Sequence, residues 1–189
     1  MTETIGSFTP QSREEWRQWL TSNHDKAKSV YLVFFKKHSG IITLSYDDAV
    51  EEALNFGWID GRTNKLDEKR YLIKFSRRLP GSTWAKSNKE RVARLIKQGQ
   101  MTEAGLKVIE RAKKDGSWDS LNDLENLVLP GDLEAAIRAD KKAWENYLKL
   151  NPSVTKQVLW WLYGAKREQT RAARIQHILS SLQNNINPL

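Results

Sequence analysis

The chain has 189 residues, 39% of them apolar and 10% aromatic, which is enough to build a folded core and excludes a disordered or fibrous chain. With 31 Lys and Arg against 23 Asp and Glu the formal net charge is +8, and the absence of cysteine excludes disulfides, thiolate nucleophiles and sulfur-bound metals. No apolar run is long enough to span a bilayer and residues 1–10 lack the pattern of a signal peptide, so the expectation is a cytoplasmic protein without a transmembrane segment.

A first helix over 13–22 is signalled by Ser12 with Glu15 three residues on, a capping box, and by Trp16, Trp19 and Leu20 on one face. Residues 29–35 (SVYLVFF) are β-branched and aromatic on both faces, the pattern of a central strand; a turn over 36–40 leads to a shorter strand over 41–44, completing a hairpin. Ser45 opens a helix carrying Ala49, Val50, Ala53 and Leu54 inward. Gly57 ends it, in the left-handed conformation that glycine adopts without penalty. Strands over 58–65 and 70–78, joined at Leu66-Asp67-Glu68, form a second hairpin in which Tyr71, Ile73 and Phe75 oppose Arg70, Lys74 and Arg78.

From Pro80 onward only helices are predicted. Ser87 with Glu90 reads as a second capping box before Val92, Leu95 and Ile96; Thr102 caps the next helix and Gly116 closes it. Residues 119–129 read as loop or helix, Leu133, Ala136 and Ile137 mark a short helix, and Trp144, Tyr147 and Leu148 mark the one after Asp140. Pro152 fits the first turn of a helix carrying Val154, Val158, Trp161 and Leu162, and Ile175, Ile178, Leu179 and Leu182 mark the last. Trp160 and Tyr163 make the Pro152 helix apolar nearly all round, which predicts burial, or else a subunit contact compatible with a homodimer. The fold class is therefore α+β: an N-terminal α-β-β-α-β-β unit with a small antiparallel-rich sheet (1–80), followed by an all-helical region (81–189) packed on it. A single cooperative domain is expected, since no Gly/Ser/Pro-rich linker divides the two.

Motifs for phosphate loops, dinucleotide binding, zinc proteases and serine hydrolases are absent, so no cofactor and no metal is expected. His24, His38 and His177 lie in or beside polar stretches and read as exposed side chains. Asp47, Asp48, Glu51 and Glu52 crowd one helix, as a solvated face or as an acidic patch for a cationic partner or for the protein's own basic residues. The basic excess is confined to residues 61–114, with 16 Lys and Arg against 5 Asp and Glu. Within and beside that block, Trp58, Asp60, Arg70, Lys74, Arg77, Arg78, Trp84, Lys86 and Asn88 are the candidate ligand-binding residues, because cations on a strand face flanked by indoles can hold an anionic or aromatic group. Trp58, Asp60, Arg70 and Trp84 are expected to converge, with Asp60 oriented by an arginine; an Asp60–Arg70 pair that merely pins the hairpin fits the sequence equally well.

The run Asn55-Phe56-Gly57-Trp58-Ile59-Asp60-Gly61, then Leu66-Asp67, Arg70-Tyr71, Phe75, Arg77, Pro80-Gly81-Ser82, Trp84, Lys86, Asn88, Glu90-Arg91 and Gly99-Gln100-Met101-Thr102, resembles the YdeI/OmpD-associated, or bacteriocin-protection, family. Ala165-Lys166-Arg167, Thr170-Arg171 and Arg174-Ile175 resemble its closing helical segment, and Ala85 stands where the resemblance calls for a small hydroxyl residue. The resemblance implies a part in bacterial stress or antimicrobial-peptide resistance and supplies no reaction, cofactor or catalytic residue. The leading functional expectation is a non-enzymatic binding protein for a small anionic or aromatic ligand or a protein partner. Nonspecific nucleic-acid binding through 61–114, and an enzyme using Asp60 or Tyr71 for proton transfer, are the alternatives.

Overall fold

A computed structural model describes residues 6–189, so the start of the chain, part of the stretch read for a signal peptide, lies outside the described residues. The chain divides into two compact units between Ser120 and Leu121. In the first, strand β1 (Ser7–Phe8) precedes helix α1 (Arg13–Asn23), strand β2 (Ser29–Phe35), a 3-10 turn at Lys37–Ser39 and helix α2 (Tyr46–Asn55). The antiparallel strands β3 (Trp58–Lys65) and β4 (Arg70–Arg77) and the helices α3 (Lys86–Lys97) and α4 (Glu103–Lys114) follow. The second unit holds α5 (Asn122–Glu125), α6 (Gly131–Arg138), α7 (Lys141–Tyr147), α8 (Pro152–Tyr163) and α9 (Glu168–Gln183). This is the expected α+β class, and no helix among the described residues is long and apolar enough to cross a membrane.

The sheet order is β1-β2-β4-β3, with β1 parallel to β2 and the other pairs antiparallel. Alternation along the strands sends Val30, Leu32 and Phe34 of β2, Ile73 and Phe75 of β4 and Trp58 of β3 into one core with Trp16, Leu20, Ala49 and Ala53. The Trp16 indole N–H donates to the Ala49 carbonyl at 3.0 Å, which fastens α1 to α2 inside that core, and its ring meets Phe75 edge-on at 5.6 Å. Val92 and Leu95 of α3 and Ile109 and Ala112 of α4 complete the same core, so it joins residues on both sides of position 80.

Three local expectations are corrected. Residues 41–44 form no strand: Gly40 turns the chain at φ 71°, only Leu44 reaches the core, and Ile41 and Ile42 stand 50% and 95% exposed. The fourth strand is instead Ser7–Phe8, which takes the β2 edge at Tyr31 and Leu32. Helix α3 opens at Lys86 with Ala85 as an N-cap that has no side-chain bond, so Ser87 lies inside the first turn, where it cannot cap; the 4 and 3 spacing of Asn88, Val92 and Leu95 makes them the buried stripe and leaves Ser87 and Ile96 outside it. Finally, Thr155, Val158, Leu159 and Leu162 form the buried stripe of α8, and the helical period therefore turns Trp160 and Tyr163 outward, 52% and 46% exposed and stacked on each other.

Two glycines fix how close the elements come. Gly57, at φ 73°, ends α2, and a Cβ there would lie 2.6 Å from a Val108 methyl. Gly105 lets α4 pass α2 so closely that a Cβ would meet the Asn55 carbonyl oxygen at 2.3 Å.

Candidate functional site

Helix α2 is answered by arginines on both sides. Arg13 of α1 reaches Asp48, Glu51 and Glu52, Arg17 reaches Glu52 at 2.7 Å, and Arg91 and Arg94 of α3 pair with Asp47 and Glu51. The acidic helix thus meets the protein's own cations, and Glu52 is buried among them.

The nine sequence-selected residues do not form one cavity. Trp58 is wholly buried, its indole N–H donating to the His24 carbonyl at 3.2 Å and its ring edge-on to Trp19. Arg70 is exposed and bonds Asp67 at 2.7 Å, within its own turn, so the expected Asp60–Arg70 pair is not made. Sequence alternation explains this: Arg70 and Lys74 lie on the opposite face of β4 from Phe75, the residue that opposes Asp60. Arg77 donates to the Asp25 carbonyl at 3.3 Å, and Lys86 is exposed at the start of α3.

Arg78, Trp84 and Asn88 do belong to one neighbourhood with Asp60. Just past the end of β4, Arg78 is buried with its guanidinium 3.6 Å from the centre of the Trp84 ring, a cation–π contact, while Trp84 packs against Trp118 at 4.8 Å. One Arg78 Nη donates to the Thr83 carbonyl at 3.0 Å, and its enclosed Nε has no partner. Burial pulls this guanidinium down to about 10, against a smaller opposing pull from the Asp60 charge. Asp60 accepts the Tyr46 hydroxyl at 2.7 Å, and burial, then that hydrogen bond, push the phenol up to about 12; the Arg91 charge opposes them. Arg91 in turn donates to Asn88 Oδ1 at 3.3 Å and to Asp47 at 2.7 Å.

Sequence reasoning missed Tyr46 as a participant. Its only signal is its place at the first turn of the acidic helix, where an aromatic residue gains nothing from capping. The resulting group, Tyr46, Asp60, Arg78, Asn88 and Arg91, sets two cations about one carboxylate, with Arg91 further held by Asp47, and leaves the Arg78 Nε donor unspent. Such an arrangement can orient a small polar molecule that offers an acceptor to the guanidinium and a donor to the carboxylate. His38 is exposed as expected, bonding the Glu68 carbonyl, and among the described residues no cluster of His, Asp and Glu could hold a metal ion.

Residues 8–108 match the family model described as "Domain of unknown function (DUF8412)", and residues 126–185 match the one described as "Bacteriocin-protection, YdeI or OmpD-Associated". The expected family is thus found in the second unit, while the stretch from Asn55 to Trp84 falls within the first model. No curated protein and no solved structure matches the chain.

Proposed function

Since the chain belongs to the family described as Domain of unknown function (DUF8412) and carries a bacteriocin-protection, YdeI or OmpD-associated segment, we propose that it is a non-enzymatic binding protein for a small anionic ligand in bacterial stress or antimicrobial-peptide resistance. The physiological part of this proposal draws on the description of the C-terminal match alone. The ligand rests on one observation: Arg78 is buried, stacked on Trp84, and keeps an enclosed Nε without an acceptor. Buried donors in folded proteins are almost always satisfied, so an orphan on a charged group calls for a partner such as a carboxylate or phosphate oxygen. Asp60 and the Tyr46 hydroxyl would then read a hydroxyl or amine on the same ligand.

A nucleic-acid surface over 61–114 is less well supported. Arg70, Arg91 and Arg94 are answered by Asp67, Asp47 and Glu51, and Arg78 is buried, so much of the formal charge is spent internally.

Calorimetric titration of citrate, inorganic phosphate and nucleoside monophosphates into the chain and into Arg78→Met tests the proposal. Methionine can keep the packing on Trp84, and replacing a poorly paired buried charge by an apolar group is often neutral or stabilising by about 1–4 kcal/mol. The expected result is affinity for one of these anions that Arg78→Met abolishes, with an unchanged or higher melting temperature. A variant that loses stability, with no anion bound by either protein, would show Arg78 to be a packing residue. Steep loss of oligonucleotide binding with salt, mapped to 61–114, would favour the nucleic-acid alternative.

A further inference from the structure

Beside this group, on the other side of Tyr46, the segment leading from β2 to α2 leaves a cleft of about 400 Å³, which the sequence had assigned to a hairpin. Gly40 turns the chain after β2 and the Ser45 cap opens α2, and the residues between them line the cleft together with Phe34, Phe35 and Tyr71. Phe34 and Tyr71, stacked at 5.4 Å and 18°, form an aromatic wall, and Ile41, Leu44 and the Tyr46 ring add apolar surface. Lys37 is the charged residue that lines it; its side chain is exposed and makes no ion pair among the described residues.

We infer that this cleft is a second binding site, for a compact aromatic carboxylate whose ring lies along the Tyr71 and Tyr46 rings and whose carboxylate meets the Lys37 ammonium. The volume falls in the range of small-molecule sites, about 300–1,000 Å³. The ring is called for by the aromatic lining, since a flat π-face gains offset or edge contact with Tyr71, which the buried Phe34 backs, and with Tyr46 beyond simple burial. The negative charge is called for by Lys37, a cation at the rim of an otherwise uncharged lining. The Tyr46 hydroxyl is committed to Asp60 and so presents its ring, not its donor, to the occupant. The site does not depend on Arg78.

Titration calorimetry of the full chain with benzoate, benzyl alcohol and acetate separates the contributions of ring and charge. Benzoate is expected to bind with a stoichiometry of one, acetate at least about tenfold more weakly for want of the ring, and benzyl alcohol about two- to fivefold more weakly, the range in which an ion pair to an exposed lysine contributes. Lys37→Gln should lower benzoate affinity to that of benzyl alcohol, and Thr43→Trp, which fills the cleft, should remove binding while the circular dichroism stays native. Neutralising an unrelated exposed cation, Lys97→Gln, should leave benzoate binding unaltered. The inference is overturned if benzoate does not bind, if benzyl alcohol matches it, or if Lys37→Gln or a natively folded Thr43→Trp binds benzoate as the parent does.

Discussion

Tyr46 and Ala85 show what single side chains decide. The Tyr46 phenol lies at about 12 in the folded chain against an ordinary 10.0, from burial first and the Asp60 hydrogen bond second. A folded value above the unfolded one means that the stabilisation is whole below pH 10 and is lost as pH climbs through 12, where the folded phenol finally ionises. An alkaline absorbance titration should therefore show a late phenol step, which Tyr46→Phe removes; an identical curve in the variant would disprove the assignment. Ala85 has extended N-cap dihedrals, φ −66° and ψ 149°, and a backbone acceptor role toward Asn88, but no side-chain oxygen for the first turn of α3. Ala85→Ser should therefore raise stability by about 0.5–2 kcal/mol, read as a higher denaturation midpoint with unchanged slope. Trp84→Ala should do the opposite, costing about 3–5 kcal/mol as a buried aromatic, because the ring supports both Arg78 and Trp118.

Helix α2 is where charge becomes structural at the scale of an element. Glu52 is 3% exposed at its side chain, whereas Arg13 and Arg17 are about one third exposed, so the acid has far more to lose than its partners when the pairs are broken. The double variant Arg13→Ala/Arg17→Ala should destabilise the chain by about 3–5 kcal/mol, and adding Glu52→Gln should return about 1 kcal/mol or more by removing the stranded charge. If the triple variant were less stable than the double, Glu52 would not be held in place mainly by those arginines. The exposed Glu103–Lys107 pair on α4 is a control whose removal should not be detectable.

For the whole molecule, the distribution of the core is what matters. Val92, Leu95, Ile109 and Ala112 are buried with Trp16, Trp58 and Phe75 in one cluster, so a fragment of residues 1–80 would expose that apolar surface, whereas residues 1–120 keep it covered. The shorter fragment should show no cooperative melt and the longer one should; a stable 1–80 fragment would contradict this account. We propose that the intact chain unfolds in a single transition, checked by scanning calorimetry, with two resolved endotherms as the opposing outcome.

The chain's local chemistry alone determined which segments become helices and where most of them stop. Ser12, Ser45 and Thr102 cap as expected, Gly57 takes its left-handed turn, and Asp67 organises the β3–β4 turn, because capping and turn bonds involve neighbours within a few residues. The alternation in β4 likewise placed Ile73 and Phe75 inward, since side-chain direction in a strand follows from residue count. The β3–β4 hairpin was legible for the same reason, but the partner at the β2 edge was not. Residues 41–44 have strand-like composition, yet Ser7 and Phe8 take the edge they would have used, a choice between segments far apart in sequence. The same holds at the candidate site: Asp60 and Arg70 are near each other in sequence and even on adjacent strands, but the register of β3 on β4 turns Arg70 to the other face. Tyr46 and Arg91 come to Asp60's neighbourhood instead because α2 packs on β3 and α3 packs on α2, which only tertiary packing sets, while Arg78 arrives as the residue that follows β4.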